Sequence, residues 1–535
     1  YLMETLSMRF SNIISIIIAF LYSLMMYGQN DISADLQKLD KFLRSIDQKY
    51  VDSVETYDIV EHGIQRMLED LDPHSVYMNP EQYQRANEPL SGRYKGIGIR
   101  YRVIEDTLTV VEVIENSPAD KGGLQFGDQL IAVGSDTLSG KNLSANAMSK
   151  RIKDEKNTDQ PFDILRSGEP LSTILTRDNV PVSSIASAIM LDEKTGYIKL
   201  TRFSSSSVSD FRQALDKLDK LGMKSLVFDL RGNSGGYLNA AIKIVDEFLE
   251  DRKLIVYTEG LHQSKKETFA NSGGRFTNGD LVVLIDERSA SASEIVAGAI
   301  QDWDRGLIVG RRSYGKGLVQ RTIEYDDGSA MRLTISRYYT PTGRSIQKPY
   351  DKGLKAYKSD LKKRKLSGEL LNKDSIKVND TLVYYTPGKR KVYGGGGIIP
   401  DRFIAADTTK MHDLSKELYK KGLPYYFAIR LVQANRKDIL DQHTTIEKFT
   451  NDYSISQDWL NAFKRMAVHR QINVEDDEFE LAKQELTADV KEIMARYLYG
   501  YEDHYYIIAK SDLATMKAIE LLNDNTFKEL GLNAN

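Results

Sequence analysis

Cysteine is missing from all 535 residues. Disulfides, thiol nucleophiles, zinc–thiolate centres and a lipidated N-terminal Cys are thereby excluded, and any nucleophile must be oxygen or nitrogen. An excess of one charge is missing too: 73 Lys and Arg stand against 76 Asp and Glu, for a formal net charge of -3. No global basic field attracts a polyanion, so nucleic acid is not an expected partner. No internal repeat is evident. What is present is bulk: 41% hydrophobic residues over this length bury more than one core, and ordinary domain sizes predict three or four units.

The N-terminus reads as a targeting segment. Arg9 precedes an apolar run from Ile13 to Tyr27, interrupted only by Ser15 and Ser23 and followed by polar Gly28-Gln29-Asn30-Asp31. The run is shorter than the roughly 20 residues a membrane span needs, which favours a cleaved signal peptide over a retained anchor. Met8-Arg9-Phe10 reads as its start. Export is the expectation, to a periplasmic location or to a membrane-associated one facing outward.

From Asp35 to Met78, Leu36, Leu39, Phe42, Leu43 and Ile46, then Ile59, Ile64, Met67 and Leu68, recur at helical spacing with a break near Asp52-Ser53. The pattern stops at Leu71-Asp72-Pro73-His74-Ser75. A β-rich stretch follows, opening on Gly96-Ile97-Gly98-Ile99 and alternating through Leu108 to Val113. In it, Ser117-Pro118 starts a short helix before Phe126-Gly127-Asp128-Gln129-Leu130-Ile131, an order that resembles a PDZ domain. Gly96, Ile97, Gly98 and Ile99 are its candidate peptide-binding residues, with backbone N–H groups forming a nest for a terminal carboxylate. Arg166, on the strand Phe162 to Arg166, is a candidate contact between domains, with a solvated arginine the favoured reading.

Next, strand-like runs (Gly196 to Leu200, Ser225 to Leu230, Leu281 to Ile285, Leu307 to Val309) alternate with helical patterns (Val208 to Leu221, Leu238 to Leu249, Ser293 to Asp302). Such alternation predicts an α/β domain with a largely parallel, buried sheet. Residues 351–393 carry 12 Lys and Arg against 5 Asp and Glu and read as a solvated surface insertion. A helical, Tyr-rich tail follows Met411, with Glu475-Asp476-Asp477-Glu478 marking a loop.

Three stretches carry chemistry. Asp229-Leu230-Arg231-Gly232-Asn233-Ser234-Gly235-Gly236 runs from a strand into a glycine loop able to aim N–H groups at developing negative charge. Ser289-Ala290-Ser291-Ala292-Ser293-Glu294 places a serine where a strand turns into a helix, in a positive backbone field. Tyr314-Gly315-Lys316-Gly317-Leu318-Val319-Gln320 puts a lysine between two glycines. It nearly matches a phosphate-binding loop, but Gly317 replaces the metal-binding hydroxyl and the alternation after it is that of a strand. A lone Ser-Ala-Ser-Ala-Ser is more often a linker or a cap.

In this order and spacing, together with Leu71 to Ser75 and Leu333 to Arg344, the three stretches resemble the carboxyl-terminal processing (tail-specific) serine peptidases over roughly residues 35 to 405. The resemblance implies a multidomain α/β protein: a ClpP/crotonase-like α/β protease core, an inserted β-rich PDZ domain, and helical N- and C-terminal parts. Its divisions would be a signal peptide or membrane anchor over 1–30, an N-terminal helical domain over 31–90, a PDZ-like domain over 91–178, a protease core over 179–405 and a C-terminal helical domain over 406–535. It implies Ser291 as nucleophile, Lys316 as general base and Gln320 as its helper, with no metal and no cofactor.

A lysine of ordinary pKa is protonated at neutral pH, so Lys316 must be desolvated to act as a base. Ala292 and Gly235 or Gly236 are the candidate oxyanion donors. None of the seven histidines lies within 25 residues of Ser291, which weakens a Ser-His-Asp reading, and His74 reads as a structural turn residue. The expected partners are protein or peptide substrates with free, apolar C-termini, a second copy or an adaptor on the C-terminal domain, and a membrane only through an uncleaved N-terminus. The alternatives are a catalytically inactive PDZ-bearing peptide-binding scaffold, against which intact Ser291, Lys316 and Gln320 argue, and a crotonase-like acyl-CoA enzyme, which has no need of export or of a tail-binding module.

Overall fold

The computed structural model describes residues 32–104, 106–140, 143–152, 159–271, 273–407 and 412–532, and the leader or anchor expected over 1–30 lies outside them. Among the described residues no helix is long and apolar enough to cross a membrane. The chain divides into two units, Tyr1–Leu71 and Asp72–Asn535. In the first, helices Ile32–Lys49 and Thr56–Glu69 flank a break where the apolar spacing lapses, and Leu36, Leu39 and Phe42 are exposed.

The centre of the second unit is a six-stranded sheet in the order Ile185–Met190, Thr195–Leu200, Ser225–Asp229, Asp280–Ile285, Leu307–Gly310, Arg402–Phe403. Only the first pair is antiparallel. The parallel strands are continuous apolar runs because both faces are covered. One face packs on helices Ser207–Lys220, Leu238–Val245 and Ala292–Asp302, with Phe211, Phe228 and Phe248 in mutual contact. On the other face Val227, Val282, Leu284, Leu307 and Val309 meet Ala514, Ala518, Leu521 and Phe527 of the C-terminal helices. A second sheet pairs Ala330–Tyr339 with Val76–Met78, Leu254–Gly260 and Leu318–Glu324. Parallel strands therefore end together at one edge of the core, where the three chemical stretches begin.

The β-rich segment forms its own sheet, Ile99–Ile104, Thr107–Val113, Gln129–Val133, Gln160–Arg166, Glu169–Leu175, around a separate core that includes Ile97, Leu108, Leu130 and Phe162. Ser117 caps the short helix Pro118–Lys121, as the Ser-Pro signal predicts. The chain enters and leaves this segment through one antiparallel ribbon, Arg93–Gly96 against Asp178–Pro181. Arg166 is not a contact between domains: its guanidinium is bidentate on buried Asp128, at 2.8 Å for each contact, and donates to Gly123 O.

The acidic run after Glu475 is a helix start, not a loop. Glu475 is the N-cap of Asp476–Tyr499, and Asp476, Asp477 and Glu478 sit in the first turn, where the helix dipole favours negative charge. This helix and Leu423–Gln442 pack on the outer face of the β-rich domain, placing Val111, Ile104 and Phe126 in one core with Phe427, Leu431 and Met494. The Arg102 guanidinium lies 3.8 Å from the Tyr425 ring centre and that of Arg100 4.1 Å from Tyr501.

The basic insertion is only partly solvated. Arg364 is buried, paired with Glu369 and donating to Arg312 O and Ser313 O, while Arg390 pairs with Asp304 and Asp401. Nearby, Arg344 and Asp302 are wholly buried and bonded at 2.7 Å, with Gln301 Oε1 and Tyr393 O accepting two further guanidinium donors. Removing one partner strands a buried charge. Arg344→Leu is expected to cost the core transition about 3 kcal/mol in urea unfolding, and Arg344→Leu with Asp302→Leu less than either alone.

Candidate active site

Each serine of Ser289-Ala290-Ser291-Ala292-Ser293 has a different surrounding. Ser289 is fully buried; its hydroxyl donates to Leu230 O at 2.9 Å and accepts from Asp286 N. Ser293 is fully buried and donates to Asn233 O at 2.8 Å. These two staple the serine turn to the glycine loop. Ser291 faces a cavity instead, and no side chain or loop carbonyl among the described residues engages its hydroxyl. Its backbone has φ 55° and ψ −111°, a conformation sterically costly for a residue with a Cβ. This sharp turn starts the helix Ala292–Asp302, with Ser291 as its N-cap and Glu294 at N3.

The cavity, about 530 Å³, brings together Ser291, Ala292, Lys316, Gln320, Gly235 and Gly236 from the three stretches. Lys316 Nζ donates to Gln320 Oε1 at 2.8 Å, and Gln320 Nε2 in turn donates to His74 O. Burial, then the nearby Arg332 cation, lowers the Lys316 pKa to about 8. Within the described residues no hydrogen bond joins Lys316 Nζ to Ser291 Oγ. The strand Leu318–Glu324 follows Lys316 directly, so the backbone after this lysine is not the helix a phosphate loop requires.

His74 is the turn residue the sequence suggests, and more: its carbonyl orients Gln320. The turn is built by Asp72, which accepts from His74 N at 2.8 Å and Ser75 N at 3.0 Å. Ser75 Oγ then accepts from Thr334 N, fixing the turn to the second sheet. The His74 ring bonds the Tyr357 hydroxyl at 2.7 Å, and burial followed by the Lys316 charge pushes its pKa down to about 4.

Two glycines shape the opposite wall. A Cβ on Gly236 (φ 145°) would lie 2.1 Å from Phe203 O, and one on Gly235 (φ 104°) 2.9 Å from both Ala290 O and the Ser291 Cβ. Gly235 spends its N–H on Asn233 Oδ1 at 2.9 Å, which removes it from the set of free donors. Its contribution is close approach. Ala292 and Gly236 keep N–H groups without an acceptor among the described residues.

Residues outside the expected set hold this geometry. Glu294, with no exposure, accepts from Ser291 N at 2.8 Å, Lys316 N at 2.9 Å, Gly315 N at 2.7 Å and Ser313 Oγ at 2.5 Å. Burial raises its pKa against the pull of these four donors. The Tyr338 hydroxyl lies within donating reach of both Ser291 O (3.1 Å) and Lys316 O (2.8 Å). Behind the glycine loop, Arg231 is bidentate on Asp229 and reaches Asp512 at 2.8 Å and Thr515 at 3.3 Å. Burial alone would raise the Asp229 pKa, but Arg231 and Lys199 hold it well below the usual carboxylate range.

Residues 194–355 match peptidase family S41, residues 96–176 a PDZ domain, and residues 24–82 the activating protease CtpB N-terminal domain. Residues 414–500 match a family of unknown function, DUF8443. The carboxy-terminal processing protease CtpA of Bacillus subtilis (strain 168) is 33% identical over 333 residues, 61% of this chain and 70% of its own length. The chain belongs to the carboxy-terminal processing proteases. A second relative of the family, the carboxyl-terminal-processing protease of Synechocystis sp. (strain ATCC 27184 / PCC 6803 / Kazusa), is 35% identical over 54% of this chain and 68% of its own. A solved structure, the photosystem II D1 C-terminal processing protease, aligns at 26% identity over 57% of this chain and 88% of its own, with a TM-score of 0.33. The protein is thus a serine-type peptidase that carries a PDZ domain.

Glu294 sits three residues after Ser291, the N3 position of a helix whose N-cap is that serine, and this spacing is the signal by which the sequence could have revealed it. An amide in its place presents N–H donors to N–H donors. Glu294→Gln is expected to lower kcat/KM about 100-fold, the scale of an ångström-sized misplacement, while far-ultraviolet circular dichroism is retained.

Proposed function

We propose that this peptidase cuts polypeptides with a Ser291–Lys316 dyad after its PDZ domain has taken the substrate's C-terminal tail. The observation that carries the dyad is the contrast among the three serines: two hydroxyls are spent on stapling loops, and the third, tied to no other loop, faces a cavity it shares with a half-buried, pKa-depressed lysine. In the reaction, neutral Lys316 Nζ takes the Ser291 Oγ proton as Oγ attacks the scissile carbonyl, then returns it to the leaving amine. Water repeats the cycle on the acyl-enzyme. Gln320, fixed by His74 O, holds the amine in line. The Nζ to Oγ contact closes when substrate excludes water from the cavity, since such bonds often tighten only in the substrate complex. The oxyanion is met by the N–H groups of Ala292 and Gly236, each worth about 3 kcal/mol in sites of this kind.

For tail binding, Ile99–Ile104 is an edge strand, paired on one side only. Ile97 and Gly98 have N–H groups without acceptors among the described residues. Gly98, at φ 84°, is required to be glycine, because a Cβ would meet that of Ser117 at 2.1 Å. An incoming tail adds a strand at this edge with its carboxylate at the Gly96–Ile99 turn. Apolar last residues suit an edge bordered by the domain's apolar core, in which Ile97 and Ile99 are buried, and the leader-like N-terminus supports exported substrates.

Ser291→Ala and Lys316→Ala are each expected to abolish cleavage of an unfolded protein with an apolar C-terminus, followed by gel electrophoresis and mass spectrometry. Cleavage that survives both changes removes the dyad. Because Lys316 acts as a base only when neutral, kcat should rise with pH to a plateau with a midpoint near 8. Gly96→Val, which drives a Cβ into the Tyr94 ring, should lower turnover of tailed proteins far more than that of short peptides.

A further inference from the structure

The cavity that holds Ser291 and Lys316 is also lined by Arg202 and Arg332. The groove continuing from it past Tyr237, Leu238, Val319 and Gln320 adds Lys243 and Arg321. Among the described residues that line the two, none is Asp or Glu, although acids outnumber bases in the chain 76 to 73. The cations immediately behind the site behave differently: Arg231, Arg311, Arg312 and Arg364 are all ion-paired. Arg202, Lys243, Arg321 and Arg332 have no carboxylate within 4.0 Å among the described residues, and Arg202 has only Pro89 O, at 3.4 Å.

Arg332 occupies the middle of the second sheet, registered against Thr322 on one side and Val76 on the other, and is half-buried close to Lys316. A half-buried guanidinium without a counterion is costly, and walls of low dielectric concentrate its field in the cleft. Burial and one nearby cation are enough to lower the basicity of Lys316. That effect does not account for three more cations along the same groove.

We propose that this cleft is a carboxylate subsite, with Arg332 as its main receptor and Arg202, Lys243 and Arg321 along its length, so that substrates carrying an acidic group near the bond presented to Ser291 are preferred. The proposal rests on the Ser291 reading above. Its carboxylate can come from an Asp or Glu side chain or from the free end of a short tail, and both are recognised by the same paired N–H donors.

The test uses the full chain and quenched fluorescent peptides identical except for Glu, Gln or Lys at successive positions around the cleaved bond, each with a free or an amidated C-terminus. The Glu peptide should exceed its Gln counterpart about fivefold in kcat/KM at one or more positions, and the Lys peptide should fall below both. The preference should shrink at high salt. Arg332→Gln should bring the Glu to Gln ratio to about one, Arg332→Glu should invert it toward Lys, and Arg332→Lys should restore it. A preference lost on amidation but indifferent to Glu identifies the free terminus as the source. Equal cleavage of all peptides by the wild type, or an unchanged ratio in Arg332→Glu, overturns the subsite. Ser291→Ala run in parallel separates the two claims: if it is inert, only the subsite has failed, and if it cuts, the dyad reading has failed as well. Lys243→Glu with Arg321→Glu, both exposed, supplies a second variant set that is independent of the sheet interior.

Discussion

Glu294 is buried away from solvent with four donors on its carboxylate, and the loops that carry Ser291 and Lys316 are both tied to it. One of its oxygens accepts from the backbone of Ser291 and of Lys316 together, and the Tyr338 hydroxyl reaches the carbonyls of the same two residues, so both groups tie them to each other. A buried carboxylate without partners is unfavourable by several kcal/mol, and the loops supply the partners. The arrangement is therefore mutual: the loops close because the charge must be solvated, and the charge persists because the loops close. Burial raises the carboxyl's pKa, and the four donors pull it back down.

Outward from this pair of loops, each support is itself supported. The glycine loop leans on Arg231, which leans on Asp229 and, through Asp512 and Thr515, on a C-terminal helix. The lysine loop is held by carbonyl contacts from Arg364 of the basic insertion. Two regions left unexplained by the sequence motifs are thus part of what keeps the chemical loops in place. Rigid surroundings of this kind are what an electrostatically assisted acyl transfer requires, since donors must stand ready before charge develops.

The alternation of strands and helices was readable because each core strand is an uninterrupted apolar run between polar turns, and Ser225–Asp229 and Asp280–Ile285 lie within a residue of where the pattern puts them. Ser291, Lys316 and Gln320, singled out by the order of their stretches along the chain, line one cavity. Long-range pairing was not readable. Nothing local to Arg364 separates a buried clamp from a solvated lysine-rich face, and nothing local to Arg166 points to Asp128, 38 residues away. The acidic run after Glu475 misled because charge alone favours solvent, whereas at a helix N-terminus it favours the helix. Asn233 is a similar case: that its side chain takes the Gly235 N–H depends on a loop conformation that composition does not encode.

The antiparallel ribbon of Arg93–Gly96 and Asp178–Pro181 gives the PDZ domain neighbouring points of entry and exit. By connectivity it is a cassette: the peptide chain can be closed across the ribbon without disturbing the register of any strand in the protease sheets. By packing it is not, because Val111, Ile104 and Phe126 complete the apolar core of the C-terminal helices, and Arg100 and Arg102 cover Tyr501 and Tyr425. Excision would uncover an oily face on the remaining molecule. The domain is easily exchanged in the gene and hard to exchange in the protein, so a substitute must bring a matching outer surface as well as its own peptide groove.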